Sequence, residues 1–245
     1  MNRSSNTYFI SDLHLHPTHP RLFELFSQFI DTISEDADAL YILGDLFEFW
    51  IGDDILDTKA CQPYQIILDK LKKLSMSGIQ LYFMQGNRDF LAKTAFVKRI
   101  GATLLPDQKI IDLYGKQVLI MHGDTLCTDD KNYQRMRYLF RLKLAQILYL
   151  RQSIEKRQHI ADKTRVVTTR KTNKKPSMIL DVNQKQVEKV LKTGGVGILI
   201  HGHTHRPAIH QFQLNGKPAK RIVLSDWRDK ITYLRVSESG FDLVY

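Results

Sequence analysis

Seven side chains able to hold a metal ion stand at the ends of short apolar runs. Asp12 and His14 follow Tyr8–Ile10, Gly44–Asp45 follows Ala39–Leu43, and Gly86–Asn87–Arg88–Asp89 follows Gln80–Met84. His122 follows Gln117–Met121, and His203 and His205 follow Gly197–Ile200. Oxygen and imidazole donors without thiolate suit Mn²⁺, Fe²⁺ or Zn²⁺ rather than a structural thiolate zinc site. Seven donors are too many for one ion, whereas two ions sharing a carboxylate, roughly 3.5–4 Å apart, would use them all. Each element alone is weak: a lone Gly-Asp is chance-level, and a single buried His is more often a hydrogen-bonded core residue. The ordered recurrence across five run ends carries the reading.

Those runs must be strands for the donors to converge, because layered α/β folds place their sites where strands end. Lys109–Leu113, Arg221–Leu224, Ile231–Val236 and Phe241–Val244 are further strand candidates, with Asn215–Gly216 a hairpin turn. The spacing of two in Asp12/His14 and His203/His205 predicts both side chains on one side of an extended segment. Glycines beside Asp45, Asn87 and His203 predict sharp turns. Arg21–Ile33, Tyr64–Ser77 and Gln184–Leu191 show helical spacing; Leu22, Leu25, Phe26, Phe29 and Ile30 share one face, as do Ile67, Leu68, Leu71 and Leu74. Strand–helix alternation predicts an α/β layered fold.

Residues 131 to about 180 break the rhythm. Met136, Leu139, Phe140, Leu144, Ile147, Leu148 and Ile154 predict one long helix, followed by a polar, basic stretch without strand signal. This span holds 14 basic residues against two acidic ones, Glu155 and Asp162, out of 36 and 26 in the 245-residue chain. The formal charge of +10 is therefore local, and the rest of the chain has a net charge of −2. Basic residues interleaved with an apolar stripe read either as a core-packed helix with a solvated charged face or as a basic amphipathic element of the kind that rests on an anionic membrane surface. The apolar content of 43% excludes a disordered chain, and two cysteines are too few for a disulfide framework. With no run as apolar as a membrane span and no signal-peptide layout, the protein is expected in the cytoplasm.

Asp-x-His, Gly-Asp, Gly-Asn, His and Gly-His-x-His, in that order from Asp12 to His205, resemble the motifs of the calcineurin-like metallophosphoesterases. The resemblance implies a two-sheet αββα sandwich. It also implies one ion on Asp12, His14, Asp45 and His205, and another on Asn87, His122, His203 and the shared Asp45. One position departs from the usual pattern: Arg88 stands where most members have a His that protonates an alkoxide. Arginine keeps its proton, so it cannot act as a general acid, but it can clamp phosphate oxygens and stabilise developing charge. That favours cleavage of a pyrophosphate, whose leaving group needs no proton.

The runs Gly44–Asp54, Gly86–Asp89, Met121–Asp124, Asp181–Asn183 and His201–Pro207 narrow the likeness to UDP-2,3-diacylglucosamine hydrolases of lipid A synthesis. Two Mn²⁺ ions per chain, the substrate UDP-2,3-diacylglucosamine, and water attack on the uridine-side phosphorus are what this resemblance implies. It further implies catalytic roles for Asn87, Arg88 and His203, and substrate contacts from these and from Asp130, Thr168, Thr172 and Lys175. Thr168 and Thr172 align with a Ser and an Asn of that family, and Asn173, adjacent to Thr172, is the alternative partner. A core of residues 1–127 and 181–245, a lipid-binding lid of residues 128–180, and a monomer on the cytoplasmic face of the inner membrane complete the expectation. A nuclease gripping phosphates with the basic insertion is the weaker alternative; no nucleic acid partner is expected.

Overall fold

The structure, a computed structural model, describes residues 5–172 and 181–245. It is a mixed α/β fold of two sheets flanked by helices, as the alternation predicts. The first sheet has the order β11-β10-β1-β2-β3-β4, built from β1 (Asn6–Ile10), β2 (Ala37–Ile42), β3 (Gln80–Met84), β4 (Ala102–Leu105), β10 (Tyr233–Ser237) and β11 (Gly240–Val244). The second has the order β5-β6-β7-β9-β8: β5 (Gln108–Leu113), β6 (Lys116–Met121), β7 (Ile198–His201), β8 (Ala208–Leu214) and β9 (Lys217–Val223). Strands β1 to β4 run parallel, and so do β6, β7 and β9. Their C-terminal ends deliver the polar loops.

Strand alternation divides the core. Tyr8, Ile10, Leu40, Ile42 and Phe83 face one cluster with helices α1 (Pro20–Ile33), α2 (Gln65–Met76) and α3 (Thr94–Ile100). Phe9, Tyr41, Leu43 and Met84 face the other, which takes in Val118, Ile120, Leu199 and Ile222 of the second sheet. Helix α7 (Gln184–Gly194) adds Val187, Val190 and Leu191 to that second cluster. Helix α1 starts with Pro20 in its first turn, where a missing N–H costs nothing, and buries the predicted stripe plus Ile33. Helix α2 buries Ile67, Leu68, Leu71 and Leu74 as its spacing predicts. The Asn215–Gly216 turn, with φ of 52° and 74°, closes the β8–β9 hairpin.

The expected single long helix is broken twice: α4 (Lys131–Arg141) and α5 (Lys143–Leu150) are parted at Leu142, whose ψ is 127°, and Ile154, its last predicted residue, opens a third helix. The break at Leu142 is held by one local tie and one tertiary tie. Gln146 Nε2 donates to the Phe140 carbonyl that α4 leaves open, and Arg141 Nη2 donates to Gly86 O at 3.0 Å. The basic stretch beyond is itself helical, α6 (Ile154–Thr172). Among the described side chains of α6 the buried ones are Arg157 and Ala161 rather than an apolar stripe, so periodicity did not reveal it. No helix among the described residues is long and apolar enough to cross a membrane.

Candidate metal centre and active site

The ends of β1 and β2 are stitched together just past the sheet. Asp12 N donates to Gly44 O at 3.1 Å and His14 N to Asp45 O at 3.0 Å. Neither pair of spaced ligands lies on an extended segment, contrary to the spacing argument. Asp12, His14, Asp45, His203 and His205 all have left-handed backbone, with φ of 59°, 50°, 54°, 68° and 55°. Each such residue costs on the order of 1 kcal/mol or more, and strain of this kind collects at functional sites. The glycines act in two ways. Gly44 turns with φ of 87°, whereas at Gly86 and Gly202 a Cβ would collide with the carboxylates of Asp45 and Asp12.

All seven predicted donors come together. Asp12, His14 and His205 form one trio and Asp45, His122 and His203 another, with the donor atoms of each within 4.8 Å of one another. His14 Nε2 and His205 Nε2 face each other at 3.3 Å, and His205 Nε2 lies 3.3 Å from Asp12 Oδ1. His122 Nε2 is 3.7 Å from Asp45 Oδ2 and 3.0 Å from Asn87 Oδ1, which places Asn87 with the second trio. These residues fit divalent cations. Asp12 Oδ1 is buried and accepts no well-formed hydrogen bond among the described residues, and the set is oxygen and imidazole throughout. Burial opposes protonation of His205, but Asp12 and Asp226 raise it to about 10, so a cation bound there would displace its proton. Burial pushes His14 down to about 3 and His203 to about 4, so both are neutral lone-pair donors at pH 7. Burial also raises Asp45 above the carboxylate range; His122 opposes this, and the Asp89 and Asp12 charges add to it. A bound cation would reverse that penalty.

Side chains outside the predicted set hold the ligands. Buried Asp89 accepts from Gly86 N and Leu46 N, both at 2.8 Å, and so joins the two loops that carry Asn87 and Asp45. His122 Nδ1 donates to Leu43 O at 2.8 Å, and His205 Nδ1 lies 3.4 Å from Asp226 Oδ2. His203 N donates to Asp12 Oδ2 at 2.7 Å. Buried His201 supports the loop that carries His203 by donating from Nδ1 to Gly202 O. Asp89 and Asp226 follow strand ends as the ligands do, Asp89 inside Gly86–Asp89 and Asp226 just past β9. That position was the available signal.

The trios border a single cavity of about 1850 Å³, lined by His14, Asp45, Asn87, Arg88, His203 and His205. Apolar wall comes from Phe49, Trp50 and Leu91 of the core and from Met136, Phe140 and Tyr149 of α4 and α5. Trp50 therefore borders the cavity as well as packing on Phe47. The Arg88 guanidinium sits 5.0 Å over the Phe49 ring. Asp130 lines the cavity and also caps α4, accepting from Tyr133 N at 3.1 Å. Thr168 and Thr172 fall on the last turns of α6, and Asn173 and Lys175 lie outside the described residues.

The basic residues of α4–α6 are not one solvated face. Arg137 pairs with Asp124 and Asp107, Arg141 with Asp107, Arg157 with Asp54, and Arg165 with Glu48. Four positive charges of the basic span thus tie it to the acidic core. Burial opposes ionisation of Asp124, but His122 and Arg137 bring it down to about 2. The apolar stripe divides too: Met136 and Phe140 line the cavity, while Leu144, Ile147 and Leu148 are exposed outside it.

The calcineurin-like phosphoesterase family model matches residues 5–207. The chain is 46% identical over 235 residues to UDP-2,3-diacylglucosamine hydrolase of Pseudomonas fluorescens, covering 96% of this chain and 92% of that one. It is 47% identical over 222 residues to the hydrolase of the same name from Aeromonas hydrophila, covering 91% and 90%. It is 45% identical over 236 residues to that of Haemophilus influenzae, covering 96% of each. With its ligand trios in the matched region and such hydrolases as relatives over nearly its whole length, the chain is a hydrolase belonging to the calcineurin-like phosphoesterase family.

Proposed function

We propose that the chain cleaves the pyrophosphate of UDP-2,3-diacylglucosamine, releasing UMP and 2,3-diacylglucosamine 1-phosphate in lipid A biosynthesis. The observation that carries this reading is the single cavity bordered both by the ligand trios and by the apolar side chains of α4 and α5. A pyrophosphate needs the first and acyl chains need the second. Two Mn²⁺ ions are the proposed cofactor, one on Asp12, His14, Asp45 and His205, the other on Asn87, His122, His203 and the shared Asp45. When bound, such ions supply an ionised water nucleophile at neutral pH and neutralise charge on phosphate oxygens.

The chain's own residues do the rest. Arg88 borders the cavity with a permanent charge, so it stabilises the departing sugar phosphate without giving up a proton. The departing group is already a stable anion at neutral pH, and no general acid is required. Asn87 and His203 orient the phosphates, with Asp130, Thr168, Thr172 and Lys175 as further substrate contacts. Residues 128–180 form the lid over a core of residues 1–127 and 181–245, and the lid excludes water from the reacting phosphorus.

The same reading has the protein act as a monomer on the cytoplasmic face of the inner membrane. Exposed Tyr138, Leu139, Leu144 and Leu148, next to exposed Arg135, Lys143 and Arg151, support contact with an anionic leaflet. The test is release of UMP from UDP-2,3-diacylglucosamine by purified protein with and without Mn²⁺. Metal-dependent release is expected, and a metal-loaded protein that releases none defeats the assignment.

A further inference from the structure

We propose that Glu48 is a positioning residue that braces both the His14 imidazole and the Arg88 guanidinium beside the metal site, an inference that rests on the metal reading above. Glu48 belongs to the loop after β2, and its N–H donates to Leu15 O at 3.1 Å. That bond sets it beside the loop carrying His14. Its side chain is only 15% exposed, and three nitrogen groups surround the carboxylate. His14 Nδ1 lies 3.7 Å from Oε2, Arg88 Nη1 lies 3.7 Å from Oε1, and Arg165 Nε of α6 lies 4.0 Å from Oε1.

The His14 contact has a specific chemical reason. Nε2 of His14 faces Asp12 Oδ1 at 3.9 Å and His205 Nε2 at 3.3 Å, so Nε2 is the atom turned to a cation. The proton then resides on Nδ1, which is buried and has no hydrogen-bond partner among the described residues. Glu48 is the carboxylate within reach, and a shift of roughly half an ångström completes an N–H···O bond. His122 and His205 show the same device, with Leu43 O at 2.8 Å and Asp226 Oδ2 at 3.4 Å on their Nδ1 atoms. A partner of this kind fixes the tautomer and orientation of a ligating His, and its loss typically lowers metal affinity about 10–100-fold.

The Arg88 contact does a second job with the other oxygen. The guanidinium is held between the Glu48 carboxylate and the Phe49 ring, 5.0 Å away, instead of ranging through the cavity. The ion pair of Glu48 with Arg165 registers α6 against the same loop. One carboxylate thus relates a metal ligand, a phosphate clamp and the lid.

The test is Mn²⁺ titration of metal-free protein, read by the paramagnetic resonance of free Mn²⁺, with folding checked by circular dichroism. The wild type binds two ions. Glu48→Ala is expected to lose about 10–100-fold in affinity at one site and nothing at the other. Glu48→Gln keeps an oxygen that accepts from Nδ1–H and recovers most of that affinity, but its neutral amide does not brace Arg88, so kcat/KM stays low. A folded Glu48→Ala that binds both ions as the wild type does overturns the proposal, as does a Glu48→Gln no better than Ala. A wild type that binds no Mn²⁺ defeats the metal reading instead, which separates the two failures.

Discussion

Asp54 clamps Arg157 with both carboxylate oxygens, and Arg157 is 1% exposed on a helix that is otherwise largely polar. Its Nη1 also donates to Ile51 O at 2.6 Å. The buried anchor of α6 is therefore a charge, placed against the loop that follows Trp50. Replacing Arg157 by Ala removes the packing of its stem and leaves the Ile51 carbonyl without this donor, at a cost of about 2–4 kcal/mol. Amide exchange along α6 should rise, with KM affected more than kcat.

The same pair has a pH signature. The hydrogen bond from Arg157 holds the Asp54 carboxyl below its ordinary value. A depressed folded value means the contribution is present above the unfolded value of about 3.9 and is lost as pH falls through the folded one. Half of the Asp54 side chain is exposed, so Asp54→Asn should cost only about 1 kcal/mol at pH 7. Denaturant melts at pH 7 and pH 3 check this: the gap between wild type and variant should narrow at the lower pH.

How much of this was legible in sequence depended on what each element buries. Strand β3 lies where its apolar run predicts, and α2 buries its four predicted residues. The donors were legible because each follows a strand end, although their left-handed backbone was not, since nothing in Asp12 or His14 as residue types demands it. Helix α6 was illegible because Arg157 takes the place of a core residue. The break at Leu142 has no Gly or Pro to announce it and depends on Gln146 capping the Phe140 carbonyl across the break and on Arg141 reaching Gly86. Strand β4 escaped notice because it is a four-residue edge strand. Strand β8 is a half-exposed edge strand, so neither offers a continuous apolar run.

Arg88 separates two chemistries. Arg88→Gln should lower kcat/KM for pyrophosphate cleavage about 10²–10³-fold, the usual cost of losing one charge-stabilising donor. Arg88→His should raise cleavage of an alkyl phosphodiester relative to pyrophosphate, because imidazole can protonate an alkoxide. Steady-state rates on the two substrates give the ratio; an unchanged ratio contradicts the role assigned to Arg88.

The exposed apolar residues of α5 should matter for membranes and little for folding. Leu144 is 68% exposed and Leu148 53%. The double substitution Leu144→Asp and Leu148→Asp should reduce co-sedimentation with anionic vesicles several-fold while leaving the thermal midpoint within about 2 °C. Equal binding by wild type and variant removes α5 from the membrane contact.

The most direct measurement is hydrolysis of UDP-2,3-diacylglucosamine in ¹⁸O-labelled water with Mn²⁺ present, followed by mass spectrometry of both products. Attack on the uridine-side phosphorus puts the label in UMP and none in 2,3-diacylglucosamine 1-phosphate, and Asp45→Asn should abolish both products. Label in the sugar phosphate, or undiminished turnover by Asp45→Asn, contradicts the proposed reaction and its metal site.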